Sequence, residues 1–456
     1  MQKRVKHIYF VGIGGAGMNG IAEVFLNMGY KVSGSDIKES ENTSRIKKLG
    51  GRIFIGHDAK NVKGADVVVY SNAVSETNVE LTEARNQKIP VVPRSVMLDE
   101  IMRLKYGIAI AGSHGKTTTT SMLASIFEEA KLDPTYIVGG VVRAKGSHAK
   151  AGRGKYVIAE ACEAFGSFLK LNPVIVGVTN IDNDHMDYYK KMDSLKEAFV
   201  RFINNIPFYG TAYLNGDDPN VRSIQSDVFV RTVFFGFDKT NDVYAENIKT
   251  NNFNLKQSYD VVYRNKKLGR FVLGIPGRHN IQNSLMAIAI SVDSGIKLNV
   301  IKKALRNFEN VQRRFNVYKQ KSYTIIDDYA HHPMEIRKVL ETGREIAKNK
   351  VIVIFQPHLF SRTRLLYKDF ASALSLADVV ILDNIYPARE APIPGVTPAL
   401  IKDYMSAGGF KNVYYEQDWE SIINRLKRFV DKNDIVFILG AGNIYEIRKE
   451  IEKWIK

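Results

Sequence analysis

The run Gly112-Ser113-His114-Gly115-Lys116-Thr117-Thr118 has the residue types that hold a nucleoside triphosphate. Backbone N–H groups at the start of a helix cradle phosphate oxygens, a lysine reaches the β- and γ-phosphates, and a hydroxyl one position on ligates Mg²⁺. Lys116 and Thr117 fill the last two roles. The run departs from G-x-x-x-x-G-K-[ST] at its first position, where Ile110 stands, but keeps the working parts. Upstream, Gly12-Ile13-Gly14-Gly15-Ala16-Gly17 matches G-x-G-x-x-G, and Asp36 follows near the spacing of an acidic ribose contact. Taken alone this predicts a dinucleotide site. The physics is broader, because any pyrophosphate, that of a UDP-sugar included, meets the same helix-start amides.

Carboxylates and imidazoles recur just past expected strands. Glu160 and Glu163 lie at one strand end, and His185 lies in Asn180-Ile181-Asp182-Asn183-Asp184-His185-Met186-Asp187, past another. Ligands of open α/β sheets gather at such carboxyl ends, so a carboxylate and an imidazole there point to Mg²⁺ held against ATP oxygens. Asp182, Asp184 and Asp187 read also as helix caps and solvated loop charges. Two further loops, Asp327-Asp328-Tyr329-Ala330-His331-His332-Pro333 and Gln356-Pro357-His358-Leu359-Phe360-Ser361-Arg362-Thr363-Arg364, bring histidines and arginines to one rim. That set suits a small substrate bearing a carboxylate, while His332 before Pro333 reads also as a helix cap.

The elements that must position these residues alternate between short apolar strands and amphipathic helices, the rhythm of α/β architecture with parallel sheets. Three blocks follow, each opening on a strand that leads into a motif: 1–105, Rossmann-like; 106–318, with the phosphate loop; and 319–456, again Rossmann-like. Strands are expected at 7–12, 31–36, 66–71 and 90–93, then at 106–111, 156–161 and 174–180, then at 323–328, 350–355, 378–382 and 434–439. Residues 226–274 lose the helical pattern and read as β-hairpins, an insertion or an antiparallel edge, with Arg264 to Arg270 at a polar turn.

Composition narrows the partners. The 456 residues carry a net charge of +17, from 65 Lys and Arg against 48 Asp and Glu. The basic residues are scattered and lack the clustered aromatic company of a nucleic-acid surface, so nucleotide-sized anions are the expected partners and nucleic acid is not. The single cysteine, Cys162, excludes an internal disulfide framework. The first residues show no signal-peptide pattern, and no apolar stretch reaches bilayer length. The expectation is a soluble cytoplasmic protein without a membrane partner.

Together the motifs resemble the Mur ligases. The matching segments run in family order from Gly12 to Met18, through Gly112 to Thr120, Glu160 to Leu169, Thr179 to Tyr188, Pro276 to Asn283 and Arg313-Arg314-Phe315, to Asp327 to Pro333, Phe355 to Arg364, Tyr386 to Gly395 and Gly440 to Asn443. The resemblance implies three domains that bind, in order, a UDP-sugar, ATP and an amino acid. It implies ATP-dependent ligation of L-alanine to UDP-N-acetylmuramate through an acyl phosphate, with Mg²⁺. In it, the first glycine loop holds UDP rather than NAD, with Gly12, Gly14, Gly15, Gly17, Ser35, Asp36, Ser71 and Asn72 as the UDP-sugar residues. ATP falls to Gly112, Ser113, His114, Gly115, Lys116, Thr117 and Thr118. His279, Asn280 and Asn283 serve adenine, and Arg313 or Arg314 with Asp327 or Asp328 serves phosphate and ribose. Thr117, Glu160 and His185 take magnesium; Tyr329, His331 and Arg362 take the amino acid, with His331 a candidate to orient or deprotonate the amine.

Some positions depart from the family pattern. E-A-D-E-S-D becomes Glu160-Ala161-Cys162-Glu163-Ala164-Phe165, P-H-R-Y-[ST]-R becomes Pro357-His358-Leu359-Phe360-Ser361-Arg362, and D-D-Y-G-H-H carries Ala330. Three other readings stay in view: a ligase that recycles preformed muropeptides, which Ala330 fits; a non-catalytic nucleotide-binding protein, from the departures around Cys162 and Leu359; and a dinucleotide-dependent oxidoreductase, from the first glycine fingerprint alone.

Overall fold

Runs of aliphatic and β-branched residues between glycine turns form three separate sheets. The computed structural model describes residues 5–71, 73–142, 147–251, 255–320, 322–388 and 390–454. The first sheet is parallel: β1 (His7–Val11), β2 (Lys31–Asp36), β3 (Arg52–Ile55), β4 (Val67–Tyr70) and β5 (Val91–Pro93), in the order β3-β2-β1-β4-β5. The strand order reverses beside β1, which is buried along its whole length. A crevice for a ligand opens at such a reversal, and the first glycine loop leaves β1 there, with Val11 opposite Ser35 on one side and Tyr70 on the other.

The second sheet holds β6 (Tyr106–Ala111), β7 (Thr135–Val142), β8 (Ser147–Lys150), β9 (Tyr156–Glu160), β10 (Ile175–Val178), β11 (Thr211–Asn215), β12 (Thr232–Gly236), β13 (Val243–Thr250), β14 (Gln257–Tyr263) and β15 (Lys266–Leu273). Its order is β15-β14-β13-β12-β11-β10-β6-β9-β7-β8, so β6 lies between parallel β10 and β9. Ile110 faces Gly177 on one neighbour and Glu160 on the other, which gathers the phosphate loop and the loops after β9 and β10 at one end. The expected hairpin at the basic cluster is β14–β15, turned by Arg264 and Asn265 at φ 46° and 61°, the positive-φ pair that a two-residue hairpin requires.

The third sheet holds β16 (Asn316–Lys319), β17 (Thr324–Asp328), β18 (Val351–Phe355), β19 (Val379–Leu382), β20 (Val413–Tyr415) and β21 (Ile435–Leu439), in the order β16-β17-β21-β18-β19-β20. Only β16 is antiparallel to its neighbour. Asp328, Leu439, Phe355 and Leu382 lie in register across four strands, so their loops leave from one rim. The first two sheets lie in one compact unit, where an apolar cluster runs from Ile8 and Phe10 through Ala109 and Val176 to Phe199 and Phe202. The third sheet belongs to a second unit and is covered by apolar clusters of its own. Among the described residues no helix is long and apolar enough to cross a membrane.

Candidate active site

The phosphate loop depends on two glycines. Gly112 has φ +125° and Gly115, the N-cap of the helix Lys116–Glu129, has φ +86°. A Cβ on Gly112 would stand 2.1 Å from Thr179 Oγ1, and one on Gly115 would stand 2.8 Å from Asn283 Oδ1. Neither position accepts a side chain. The loop is tied to the segment after β10: Asn180 Oδ1 accepts the His114 N–H at 2.9 Å, Ser113 Oγ accepts the Asp182 N–H at 2.8 Å, and His114 Nε2 lies 3.0 Å from Asp182 Oδ2. Thr117 is partly buried and Thr118 buried in the first helical turn. Asn280 and Asn283 are buried on the helix Arg278–Asp293, which brings Asn283 onto the loop.

Lys116 Nζ donates to Glu163 Oε2 at 2.9 Å and Oε1 at 3.0 Å, to the Ser113 carbonyl at 3.2 Å, and to the Gly112 carbonyl. Burial, the largest influence, lowers the lysine pKa, but the charge and hydrogen bond of Glu163, with Cys162 and Glu160 nearby, together outweigh it and hold the pKa above the ordinary lysine value. Glu163 is fully buried, and His185 Nε2 lies 3.7 Å from Glu163 Oε1 and 3.8 Å from Asp184 Oδ2. One ligand atom from each of Glu163, Asp184 and His185 falls within 4.8 Å of the others. Two carboxylates and an imidazole at that spacing fit a divalent cation. Glu160, expected on that cation, instead accepts the Gly139 N–H at 2.5 Å. The motif departures have local consequences. Burial, then the charge of Glu163, pushes the Cys162 thiol pKa up, and Phe165, at φ 54°, packs its ring edge-on against Tyr188 at 5.9 Å.

The first glycine loop is shaped by β2. The Ser35 carbonyl accepts the Gly12 and Ile13 N–H groups at 2.9 and 3.0 Å, and Asp36 Oδ2 accepts the Gly14 N–H at 2.8 Å. Asp36 therefore braces the loop. The Ser35 hydroxyl turns to the buried Glu80 at 2.5 Å, which also takes Tyr9, His57 and Asn61. Gly15 caps the helix Ala16–Asn27. The Cβ of Ser71 would lie 3.5 Å from a Cβ on Gly12, and Asn72 lies outside the described residues.

In the second unit, Asp327 and Asp328 end β17. Asp328 accepts the Phe315 and Ala330 N–H groups, each at 2.7 Å, and Asp327 lies 3.9 Å from Arg313 Nε. Burial pushes both carboxyl pKa values up to about 6. The Arg313 guanidinium donates to the carbonyls of Gly440 and Gly442 and stacks between Tyr329 and Tyr445. Arg314 lies 3.5 Å from Glu335. Burial, then Lys338 and Arg314, lowers the His279 pKa to about 3, which leaves a neutral imidazole. On the rim, the rings of Tyr329, His331, His358 and Tyr386 follow one another at centroid distances of 5.3, 5.8 and 5.7 Å. His331 Nδ1 is held 3.1 Å from the Tyr329 carbonyl and 3.2 Å from Glu335. Arg362 is partly buried in the first turn of the helix Phe360–Leu374. Sequence reasoning set Glu163 beside Glu160 as a candidate carboxylate and His358 on the substrate rim, but the resemblance assigned neither to a site, and Tyr386 received no role. Their presence inside the recognised motif segments was the signal available for them.

A phosphate loop at one sheet reversal, a glycine loop at another and a third parallel sheet with a polar rim define a multi-sheet α/β nucleotide-dependent enzyme. Three family models match in order: Mur ligase family, catalytic domain, over residues 7–106; Mur ligase middle domain, over 110–291; and Mur ligase, glutamate ligase domain, over 313–442. The chain belongs to the Mur ligase family. It is 44% identical to a UDP-N-acetylmuramate–L-alanine ligase of Persephonella marina, over 99% of this chain and 98% of that one. It is 49% identical to one of Anaeromyxobacter dehalogenans, over 97% and 96%. The solved UDP-N-acetylmuramate–alanine ligase of Thermotoga maritima matches with a TM-score of 0.82 and 30% identity, over 98% of this chain and 99% of that one. A murein peptide ligase of Psychrobacter arcticus, at 22% identity and a TM-score of 0.72 over 98% of each chain, shares the fold. The oxidoreductase reading of the glycine fingerprint is the less supported one.

Proposed function

We propose that the protein uses ATP to join L-alanine to the muramoyl carboxylate of UDP-N-acetylmuramate, a step of peptidoglycan precursor synthesis in the cytoplasm. The observation that carries the chemistry is Lys116 at the phosphate-loop helix, hydrogen-bonded to Glu163 beside Asp184 and His185. Residues 1–105 take the sugar nucleotide, 106–318 take ATP and 319–456 take the amino acid. Likeness to curated alanine ligases across nearly the whole chain supports this substrate choice over a preformed peptide.

The sugar carboxylate attacks the γ-phosphate of ATP, forming an acyl phosphate and releasing ADP. Both reactants are anionic, so the step needs positive charge where the transferring phosphoryl group sits. Lys116 and the amides at the start of its helix provide it. Thr117, Glu163, Asp184 and His185 would hold Mg²⁺, which supplies further charge neutralisation when bound. The amine of L-alanine then attacks the acyl carbon and phosphate leaves. That attack needs an uncharged amine, and His331, which contacts the Tyr329 carbonyl and Glu335, takes its proton. Arg362 takes the amino-acid carboxylate. ADP release measured with UDP-N-acetylmuramate and single amino acids or peptides tests the reading. L-alanine should support turnover and a muropeptide should not. Equal ATP turnover without the sugar nucleotide would refute it.

A further inference from the structure

Arg94 stands in an electrostatically costly place. It follows Pro93 at the end of β5 and opens the helix Arg94–Arg103, whose first turn holds no acidic residue. Its guanidinium lies against Gly17, in the first turn of the helix Ala16–Asn27, which also lacks an acidic residue. A Cβ on Gly17 would meet Arg94 Nη1 at 1.9 Å and Cζ at 2.9 Å. A partly buried cation is thus held at the positive poles of two helices, where helix dipoles favour anions and disfavour cations. Among the described residues no carboxylate, carbonyl or ring bonds to this guanidinium. The helix Arg94–Arg103 packs on both the helix Ala16–Asn27 and the segment Ala164–Lys170 that follows Glu163, within one unit of the fold.

We propose that Arg94 binds the diphosphate of the sugar nucleotide, and that Gly17 lacks a side chain so that the guanidinium reaches the loop from the side. The inference rests on the UDP-sugar reading of that loop. An arginine fork suits phosphoryl oxygens because it offers paired donors in one plane. The glycine-loop amides then approach the diphosphate along the helix axis, and Arg94 closes the side toward the second sheet. No sequence motif marks this residue, since it lies far along the chain from the fingerprint and opens a different helix.

The test is calorimetric binding of UDP, UMP and uridine to the full-length wild type and to Arg94→Ala, Arg94→Lys and Gly17→Ala. Arg94→Ala should weaken UDP by about 10- to 100-fold, the range of a charge-assisted hydrogen bond. It should weaken UMP less and leave uridine unchanged, which reports an intact fold. Arg94→Lys should recover part of the UDP affinity. Gly17→Ala, which displaces the guanidinium without deleting it, should reproduce the preferential loss for UDP. UDP binding to Arg94→Ala at wild-type strength overturns the inference alone, as does an equal loss for uridine and UDP. A wild type that fails to bind UDP overturns the sugar-nucleotide reading and the inference with it.

Discussion

Glu163→Gln separates the two glutamates that the sequence set side by side. The change keeps the size and an acceptor but removes the charge that faces Lys116 at 2.9 and 3.0 Å. Two unit charges 2.9 Å apart attract by about 6 kcal/mol at an effective dielectric of about 20, and desolvating both groups offsets much of this. With side-chain exposures of 15% for Lys116 and 1% for Glu163, the lysine left behind is uncompensated. Removing one partner of a buried pair costs about 3–5 kcal/mol of stability. The effect on ATP splits in sign. Lys116 meets phosphates without a competing carboxylate, so ATP without metal should bind about tenfold tighter. The cation loses a charged ligand, so the Mg²⁺ needed for half-maximal turnover should rise and turnover should fall about 10²–10³-fold. Glu160→Gln, whose carboxylate faces Gly139, should leave metal dependence near that of the wild type. The assays are Mg²⁺ titration of ADP release, calorimetry of ATP in chelator and urea unfolding, on both variants. A shifted Mg²⁺ titration for Glu160→Gln with a normal one for Glu163→Gln would show that the geometric choice between them is wrong.

Asp328 titrates in the folded protein at about 6, above its ordinary 3.8, so ionising it opposes folding. That penalty is present in full above pH 6 and disappears as pH falls through the window from about 6 to 3.8. It amounts to about 3 kcal/mol at most. Relative to Asp328→Asn, which carries no such charge, the wild type should gain stability between pH 7.5 and about pH 4.5 in urea midpoints; a constant difference across that range would remove the argument. Arg362→Leu should raise the KM for L-alanine by about 10- to 100-fold while leaving that for ATP unchanged. Leu359→Arg, which restores the family arginine, should lower the KM for L-alanine. An unaltered alanine KM in both variants would take this loop out of the amino-acid pocket.

Strands were legible where apolar runs are buried between neighbours, as in β1, β6, β18 and β21. The strands β3, β8, β16 and β20 were not singled out, and each lies at the edge of its sheet. An edge strand is half solvated, so its residues need not be apolar. Arg52–Ile55 shows this, with its two ends exposed. β7 and β11 were also missed. In β11, Thr211–Asn215, polar residues at both ends are buried and break the apolar run by which a central strand is recognised.

The site shows where pattern ends and geometry begins. A motif names the loop, but which member of a neighbouring pair faces the ligand depends on one or two dihedral angles. Glu160 is the last residue of β9 and points along the pleat to Gly139, whereas Glu163 has left the strand and reaches Lys116. The same logic separates Arg313 from Arg314. Arg313 has φ +59° and Phe315 φ +50°, and the resulting turn sends the Arg313 guanidinium to the carbonyls of Gly440 and Gly442. There it fastens the loop after β21 to the turn that leads into β16. Arg314 instead lies 3.5 Å from Glu335, and its charge reaches His279. Resemblance left that pair open, and no count of arginines could have closed it, because both members have the same chemistry and differ only in the direction the backbone gives them.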